Sequence, residues 1–137
     1  MTEINQFRQA MTSSTKLMGE GLNEQALVLL DEAIVEAVRQ QDSLWIRVLC
    51  RHASIVANFL GNFHLERQYH EQSLAFNPED PSALYGLAKV ALKLGEPEIA
   101  KRYAARCHEA ILQSDDEIVK QGLLGMVLKD WPEVARK

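Results

Sequence analysis

The sequence lacks any apolar run that approaches the roughly 18 successive residues of a membrane span. Residues 1–11 also lack the basic segment and apolar stretch of a secretory signal. We therefore expect a soluble, cytoplasmic protein with no membrane insertion.

Neither sign of charge is in large excess. Fifteen basic residues against nineteen acidic residues give a net charge of -4. A chain that binds nucleic acid nonspecifically needs a basic surface, which this balance does not offer. We expect no nucleic-acid partner.

Cysteines and catalytic motifs are also scarce. The two cysteines, Cys50 and Cys107, lie within helical apolar patterns and not in a short disulfide framework, so we expect both to be reduced core residues. The chain has no glycine-rich phosphate loop, no zinc-spaced cysteine pair and no nucleophile elbow. These absences predict a protein that is not an enzyme and that binds no cofactor or metal.

What the sequence does contain is an internal repeat. Gly61 and Gly95 lie 34 residues apart, each between an apolar helical stretch and a second stretch with aromatic residues. The two units align without a gap, pairing Ala53 with Leu87, Ala57 with Ala91, Leu60 with Leu94, Leu74 with His108, and Pro78 with Leu112. A period of this length, with small residues at helix crossings, predicts stacked helical hairpins.

This spacing resembles the tetratricopeptide repeat (TPR), whose pattern is Trp-x2-Leu-Gly-x2-Tyr, then Gly, then Ala-x3-Phe-x2-Ala, then Pro. The resemblance covers nearly the whole chain, as about three degenerate repeats plus a partial fourth. It implies an all-α fold, a right-handed α-solenoid of antiparallel helical hairpins. We expect a single domain over residues 1–137, with hairpins at about 3–41, 42–77 and 80–113 and a partial hairpin at 114–137.

Capping residues predict where the helices begin. Gly21 precedes Gly61 by 40 residues and not 34, so we expect the second helix, or the helix after it, to be about six residues longer than its counterpart. The candidate N-caps are Asn23, Asp42 or Ser43, Asn62, Asp80, and Ser114, the last in a capping box with Glu117.

The TPR resemblance implies that the first helix of each hairpin lines a concave groove. Its basic and apolar side chains would suit an extended or helical peptide of acidic character. The alternative is that Arg51 and Lys89 are solvated charges on an exposed face. The groove residues that the resemblance implies are Arg8, Met11, Val48, Arg51, Ile55, Asn58, Ser82, Tyr85, Lys89 and Leu92.

The function that this resemblance implies is that of a protein–protein interaction adaptor or co-chaperone. The family's clamp for the C-terminal carboxylates of heat-shock chaperones needs Lys, Asn and Arg on successive first helices. This chain does not supply them, so we expect a different ligand. The residues at those places are Met11, Thr15, His52, Ser82 and Gly86.

The fourth helix has polar residues where the repeat normally has packing residues. Glu66, His70 and Ser73 share one stripe, and antiparallel packing would bring His70 near Cys50 and Glu66 near Ser54. A thiol, an imidazole and a carboxylate are the residue set of a cysteine hydrolase. With no evident cleft or oxyanion donor, we favour a hydrogen-bonded structural pair over a thiol enzyme or a metal site.

The seventh helix predicts a second function, self-association, because it is more apolar than a terminal helix of a solenoid usually is. The alternative hypothesis is therefore a structural or assembly protein that forms a homodimer. The residues expected to mediate pairing are Leu123, Leu124, Val127 and Trp131.

Overall fold

The computed structural model describes residues 2–135, with side chains from residue 6 onward. Within this range the secondary structure is helical and contains no strand, which confirms the predicted all-α class. Residues 1, 136 and 137 of the predicted domain lie outside the described range. The helices are α1 Thr2–Gly19, α2 Asn23–Arg39, α3 Ser43–Phe59, α4 Phe63–Phe76, α5 Pro81–Lys93, α6 Pro97–Gln113, α7 Glu117–Asp130 and a 3-10 helix Pro132–Ala135.

The chain divides into two compact units, the first ending at Asn77 and the second beginning at Pro78. The first unit contains α1 to α4 and the second contains α5 to α7 with the 3-10 helix. In each unit, helices that follow one another in sequence pack together, as hairpins with short turns require. That both units belong to a single domain stays a prediction.

Alanines let the helices of the first unit approach closely. On α2, Ala26, Ala33 and Ala37 are buried, and on α3, Ala53 and Ala57 are fully buried. Because a methyl side chain keeps helix axes near each other, larger side chains fill the space beside these contacts. The large buried side chains of this unit are Phe7, Leu30, Ile46, Leu49 and Val56.

The second unit is built in the same way. Ala88 and Ala91 of α5 are buried, as are Ala100 and Ala104 of α6. Helix α7 contributes only Val127 to the buried set. Large apolar side chains that are buried in this unit include Leu84, Leu87, Val90, Ile111, Trp131 and Val134.

Four turns between helices share one geometry. Gly21, Gln41, Gly61 and Gly95 each have a positive φ, at 79°, 55°, 71° and 75°. After each of them, the next residue donates its N–H to the carbonyl five positions back, at 2.8–3.0 Å. This is the Schellman motif, which satisfies the last carbonyls of a helix and favours glycine at the left-handed position.

The shared turn decides which residue caps the next helix. The residue after each left-handed position becomes the N-cap, so Asp42 accepts from Trp45 N and Asn62 from Leu65 N, as predicted. The prediction for Asn23 is wrong, since the turn at Gly21 places Leu22 at the N-cap and gives no side-chain cap.

The predicted capping box of α7 is also wrong. Asp116, not Ser114, is the N-cap, and it accepts from the backbone N–H groups of Ile118 and Val119. Ser114 Oγ instead accepts from Asp116 N at 3.1 Å. A carboxylate is the stronger acceptor at the positive end of a helix, so α7 begins at Glu117. The predicted cap at Asp80 is confirmed, since its side chain accepts from Ser82 N.

No helix within residues 2–135 is both long enough and apolar enough to cross a lipid bilayer.

Candidate functional site

The first helices of the two hairpins in the first unit, α1 and α3, lie side by side. Thr15 Oγ donates to the Met11 carbonyl at 2.8 Å, and its oxygen lies 3.4 Å from His52 Nε2 on α3. Residues 8, 11 and 15 share a stripe of α1, and residues 48, 52 and 55 share a stripe of α3. We call the predicted residues on these stripes, with the adjoining Arg51, the first-helix face: Arg8, Met11, Val48, Arg51 and Ile55.

This face combines basic heads with an apolar floor. Arg8 and Arg51 are exposed, Met11 and Val48 are half-buried, and Ile55 is 43% exposed. Burial lowers the pKa of His52 below its usual value, so the imidazole is neutral at pH 7. The positive charge of the face therefore comes from the arginines.

Asn58, which was predicted to line the groove, faces its own hairpin. Its Nδ2 donates to Glu66 Oε1 on α4 at 3.1 Å. Glu66 Oε2 also lies 3.6 Å from His70 Nε2, and both side chains are nearly buried. Asn58 thus belongs to the contact between α3 and α4, because it satisfies a buried carboxylate.

Cys50 and Ser54, which were expected near this pair, form their hydrogen bonds with other groups. Cys50 Sγ donates to Gln72 Oε1 at 3.9 Å, and Ser54 Oγ donates to the Arg51 carbonyl one helical turn back. The Glu66 and His70 pair is present, but the thiol and hydroxyl expected beside it have these other partners. The contact between Glu66 and His70 is thus the structural pair that the sequence analysis favoured.

Neither cysteine has the properties of a nucleophile. Both thiols are free and fully buried. Burial raises the pKa of Cys50 to about 12, with the Asp31 charge adding to the effect, and burial raises the pKa of Cys107 to about 12. A protonated, inaccessible thiol does not attack a substrate. Within residues 2–135, no three His, Cys, Asp or Glu side chains are placed to hold a metal ion.

In the second unit, two predicted groove residues contact side chains at the C-terminal end of α7. Tyr85 and Trp131 form an edge-to-face pair with ring centroids 6.5 Å apart. Lys89 Nζ lies 3.1 Å from Asp130 Oδ2, so the carboxylate offsets the lysine charge. Of the other two, Ser82 is half-buried and Leu92 is 43% exposed. The sequence pattern did not indicate either contact, because both depend on where α7 ends relative to α5.

The residues predicted for self-association are mostly covered within their own unit. Val127 is fully buried and Trp131 is 4% exposed, so neither is a surface residue, and that part of the prediction is wrong. Leu123 and Leu124 are half-buried. Helix α7 packs against α5, α6 and the 3-10 helix. The large apolar residues that α7 does expose are Ile118, at 84%, and Met126, at 47%.

Among solved structures, the chain is similar to the crystal structure of the TPR domain of Arabidopsis FLU, with a TM-score of 0.68 and 15% sequence identity. The match covers 82% of this chain and 99% of that chain. No protein-family model matches the sequence, and no curated protein matches it significantly. At this identity the likeness concerns the fold, and it confirms the predicted TPR-like arrangement of helical repeats.

Proposed function

We propose that this chain, which has the fold of a TPR domain, is a protein-interaction adaptor that binds its partner through the first-helix face. The observation that supports this most is the contact between Thr15 and His52, which sets α1 and α3 side by side. Two neighbouring helices that expose side chains in parallel stripes present the groove in which a helical or extended peptide packs.

The side chains of this face favour a partner with acidic and apolar residues. Arg51 and Ile55 are one turn apart on α3, so a carboxylate and an aliphatic side chain of the partner can contact them together. Arg8 adds a second guanidinium on α1. Since burial lowers the pKa of His52, the charged groups of this face that an acidic partner meets at pH 7 are the two arginines.

The second unit offers less unpaired positive charge for contact with such a partner. Lys89 is paired with Asp130, and Tyr85 packs on Trp131, so neither presents its full side chain to solvent. We therefore assign the principal contacts to the first unit. A co-chaperone role that depends on a carboxylate clamp is not part of this proposal, because Thr15 and His52 contact each other where a clamp requires charged or amide donors.

Affinity purification of the tagged chain from extracts of its native cells tests the proposal. Arg51→Glu and Ile55→Glu are expected to reduce the recovered partner by roughly ten-fold or more. Lys101→Glu on α6 and Val35→Glu on α2 are matched controls, since Val35 is 70% exposed and Lys101 is exposed. Circular dichroism of each variant verifies that it is folded.

Equal recovery with Arg51→Glu, Ile55→Glu and the wild type would remove the first-helix face from the proposal. A loss confined to Val35→Glu would place the binding surface on the second helices instead.

A further inference from the structure

His52 lies beside the residues of the first-helix face and touches both of its helices. On α3 it comes one turn after Val48 and directly after Arg51, and its Nε2 lies 3.4 Å from Thr15 Oγ on α1. The residue is half-buried, so the imidazole is not sealed in the core. A partner that packs between α1 and α3 therefore meets this ring.

The hydrogen bonds of Thr15 determine which ring nitrogen can take up a proton. The Thr15 hydroxyl has one hydrogen, which it donates to the Met11 carbonyl at 2.8 Å. Toward His52 its oxygen can then only accept, so Nε2 carries the hydrogen of the neutral imidazole. Nδ1 is left to accept a proton, and protonation there adds a positive charge without breaking the contact with Thr15.

The charged side chains around His52 on its two helices are all of one sign. Residues 6–19 of α1 and the whole of α3 contain no Asp or Glu. Consequently no carboxylate on these segments stabilises a protonated His52. The basic residues of the same segments are Arg8, Lys16, Arg47 and Arg51.

Two acidic groups of the other helices in this unit act on α3, but at other residues. Glu66 of α4 accepts from Asn58, and the charge of Asp31 on α2 raises the pKa of the Cys50 thiol. Neither group alters the pKa of His52, which burial lowers, so the ring is neutral in the free protein at pH 7. A carboxylate that acts on His52 has to come from a bound partner.

We propose that His52 takes up a proton when an acidic partner binds to the first-helix face, so that the affinity for such a partner rises as the pH falls below 7. This inference rests on the proposed function, because the partner supplies the carboxylate that α1 and α3 lack. That carboxylate favours the charged imidazole, and the protonated ring becomes a third cation beside Arg8 and Arg51.

The direction of the pH dependence follows from the coupling of proton and partner. A nearby carboxylate raises the pKa of an imidazole, so the bound protein keeps the proton at a pH where the free protein has released it. Affinity therefore increases as the pH decreases between these two values and becomes constant below both. One pKa unit corresponds to a ten-fold change in affinity, so we expect binding roughly three- to ten-fold tighter at about pH 5.5 than at about pH 7.5.

A capped peptide of six glutamates is the probe, since its carboxylates, with a pKa of about 4.3, stay ionised from about pH 5.5 to 7.5. NMR chemical-shift titration of the full chain at low salt measures its affinity across this range. The wild type should bind more tightly as the pH falls. His52→Gln should show one affinity throughout, because its amide can still donate to Thr15 but does not titrate.

His64→Gln is the matched control, since His64 is exposed and lies on α4, a second helix. It should keep the pH dependence of the wild type. The imidazole signals of His52 give a further measurement. Without peptide they should show the Nε2–H form, and addition of peptide should raise the pH at which the ring titrates.

The inference and the proposed function fail in different ways. Binding that Arg51→Glu abolishes but that is equal at every pH would support the first-helix face and overturn proton uptake by His52. A pH dependence that persists in His52→Gln would overturn it as well, because another group would then take up the proton. Failure of the wild type to bind the peptide at up to about 10 mM at any pH would overturn both.

Discussion

The Tyr69 hydroxyl donates a hydrogen bond to Asp31 Oδ1 at 2.5 Å and so joins α4 to α2, two helices that are not consecutive in the chain. The Tyr69 ring is 5% exposed, and Asp31 lies at the surface. Burial and the Asp31 carboxylate together raise the pKa of Tyr69 well above its usual value.

Tyr69→Phe tests the contribution of this bond. The substitution keeps the ring in place and removes only the hydroxyl, and Asp31 regains water because it is exposed. We therefore expect the free energy of unfolding in urea to fall by about 1 kcal/mol. Asp31→Asn, which can still accept the bond, should cost less. An equal or larger loss in Asp31→Asn would show that the charge of Asp31 stabilises the fold in another way.

Two of the four left-handed turn residues give predictions of opposite sign for the free energy of unfolding. Gln41 has φ 55°, where a side chain is unfavourable, so Gln41→Gly should stabilise the protein by about 1 kcal/mol. Gly61 has φ 71°, so Gly61→Ala should destabilise it by about the same amount. Thermal or urea unfolding measures both. Changes of the same sign would contradict the assigned turn geometry.

The buried thiols make stability depend on pH above neutrality. Cys50 and Cys107 have a pKa of about 12 in the folded protein, against a usual value of about 9. Their contribution is complete below pH 9 and declines as the pH rises toward 12, because the unfolded chain releases the protons first. Each thiol should lower the free energy of unfolding by about 1.4 kcal/mol per pH unit in this window.

The double variant Cys50→Ala with Cys107→Ala isolates that effect. Its free energy of unfolding should fall less steeply than that of the wild type between about pH 9 and 11, while other groups that titrate there affect both proteins equally. Parallel slopes would mean that the thiols ionise in the folded protein as readily as in the unfolded chain.

Part of the fold was predictable because certain backbone positions demand a particular residue. Gly61 and Gly95 marked two turns since glycine is favoured at positive φ, and Ala57 and Ala91 marked helix crossings that the structure confirms as buried. The turn at Gln41 could not be predicted in this way, because glutamine does not indicate a positive φ. The longer interval before Gly61 comes from both helices, since α2 and α3 have 17 residues each, against 14 and 13 in α4 and α5. The connection between α2 and α3, residues 40–42, is one residue shorter than residues 77–80, which leaves a net difference of six.

Long side chains limited what could be predicted about the site. Asn58 was placed in the groove by its position in the repeat, but its amide reaches Glu66. Lys89 was expected to face a ligand, but Asp130 lies 41 positions later in the chain and pairs with it. Such contacts depend on the rotation and register of one helix against another, which a pattern of small residues does not specify.

Salt dependence tests the role of Arg51 once a partner has been isolated. Because exposed charges are screened by salt, wild-type affinity should fall as salt is raised from about 50 to 300 mM, and Arg51→Glu should reduce that dependence. Lys101→Glu should keep the wild-type dependence. If both variants behave alike, general charge and not the first-helix face steers the encounter.

Site-specific photocrosslinking in native cells measures the location of binding most directly. A photoreactive phenylalanine analogue at position 55 reports on the first-helix face. The same group at position 35 reports on the second helix α2, where Val35 is more exposed than Ile55, at 70% against 43%. We predict a discrete adduct with a partner protein from position 55 and none from position 35. Adducts from position 35 with none from position 55 would contradict binding at the first-helix face.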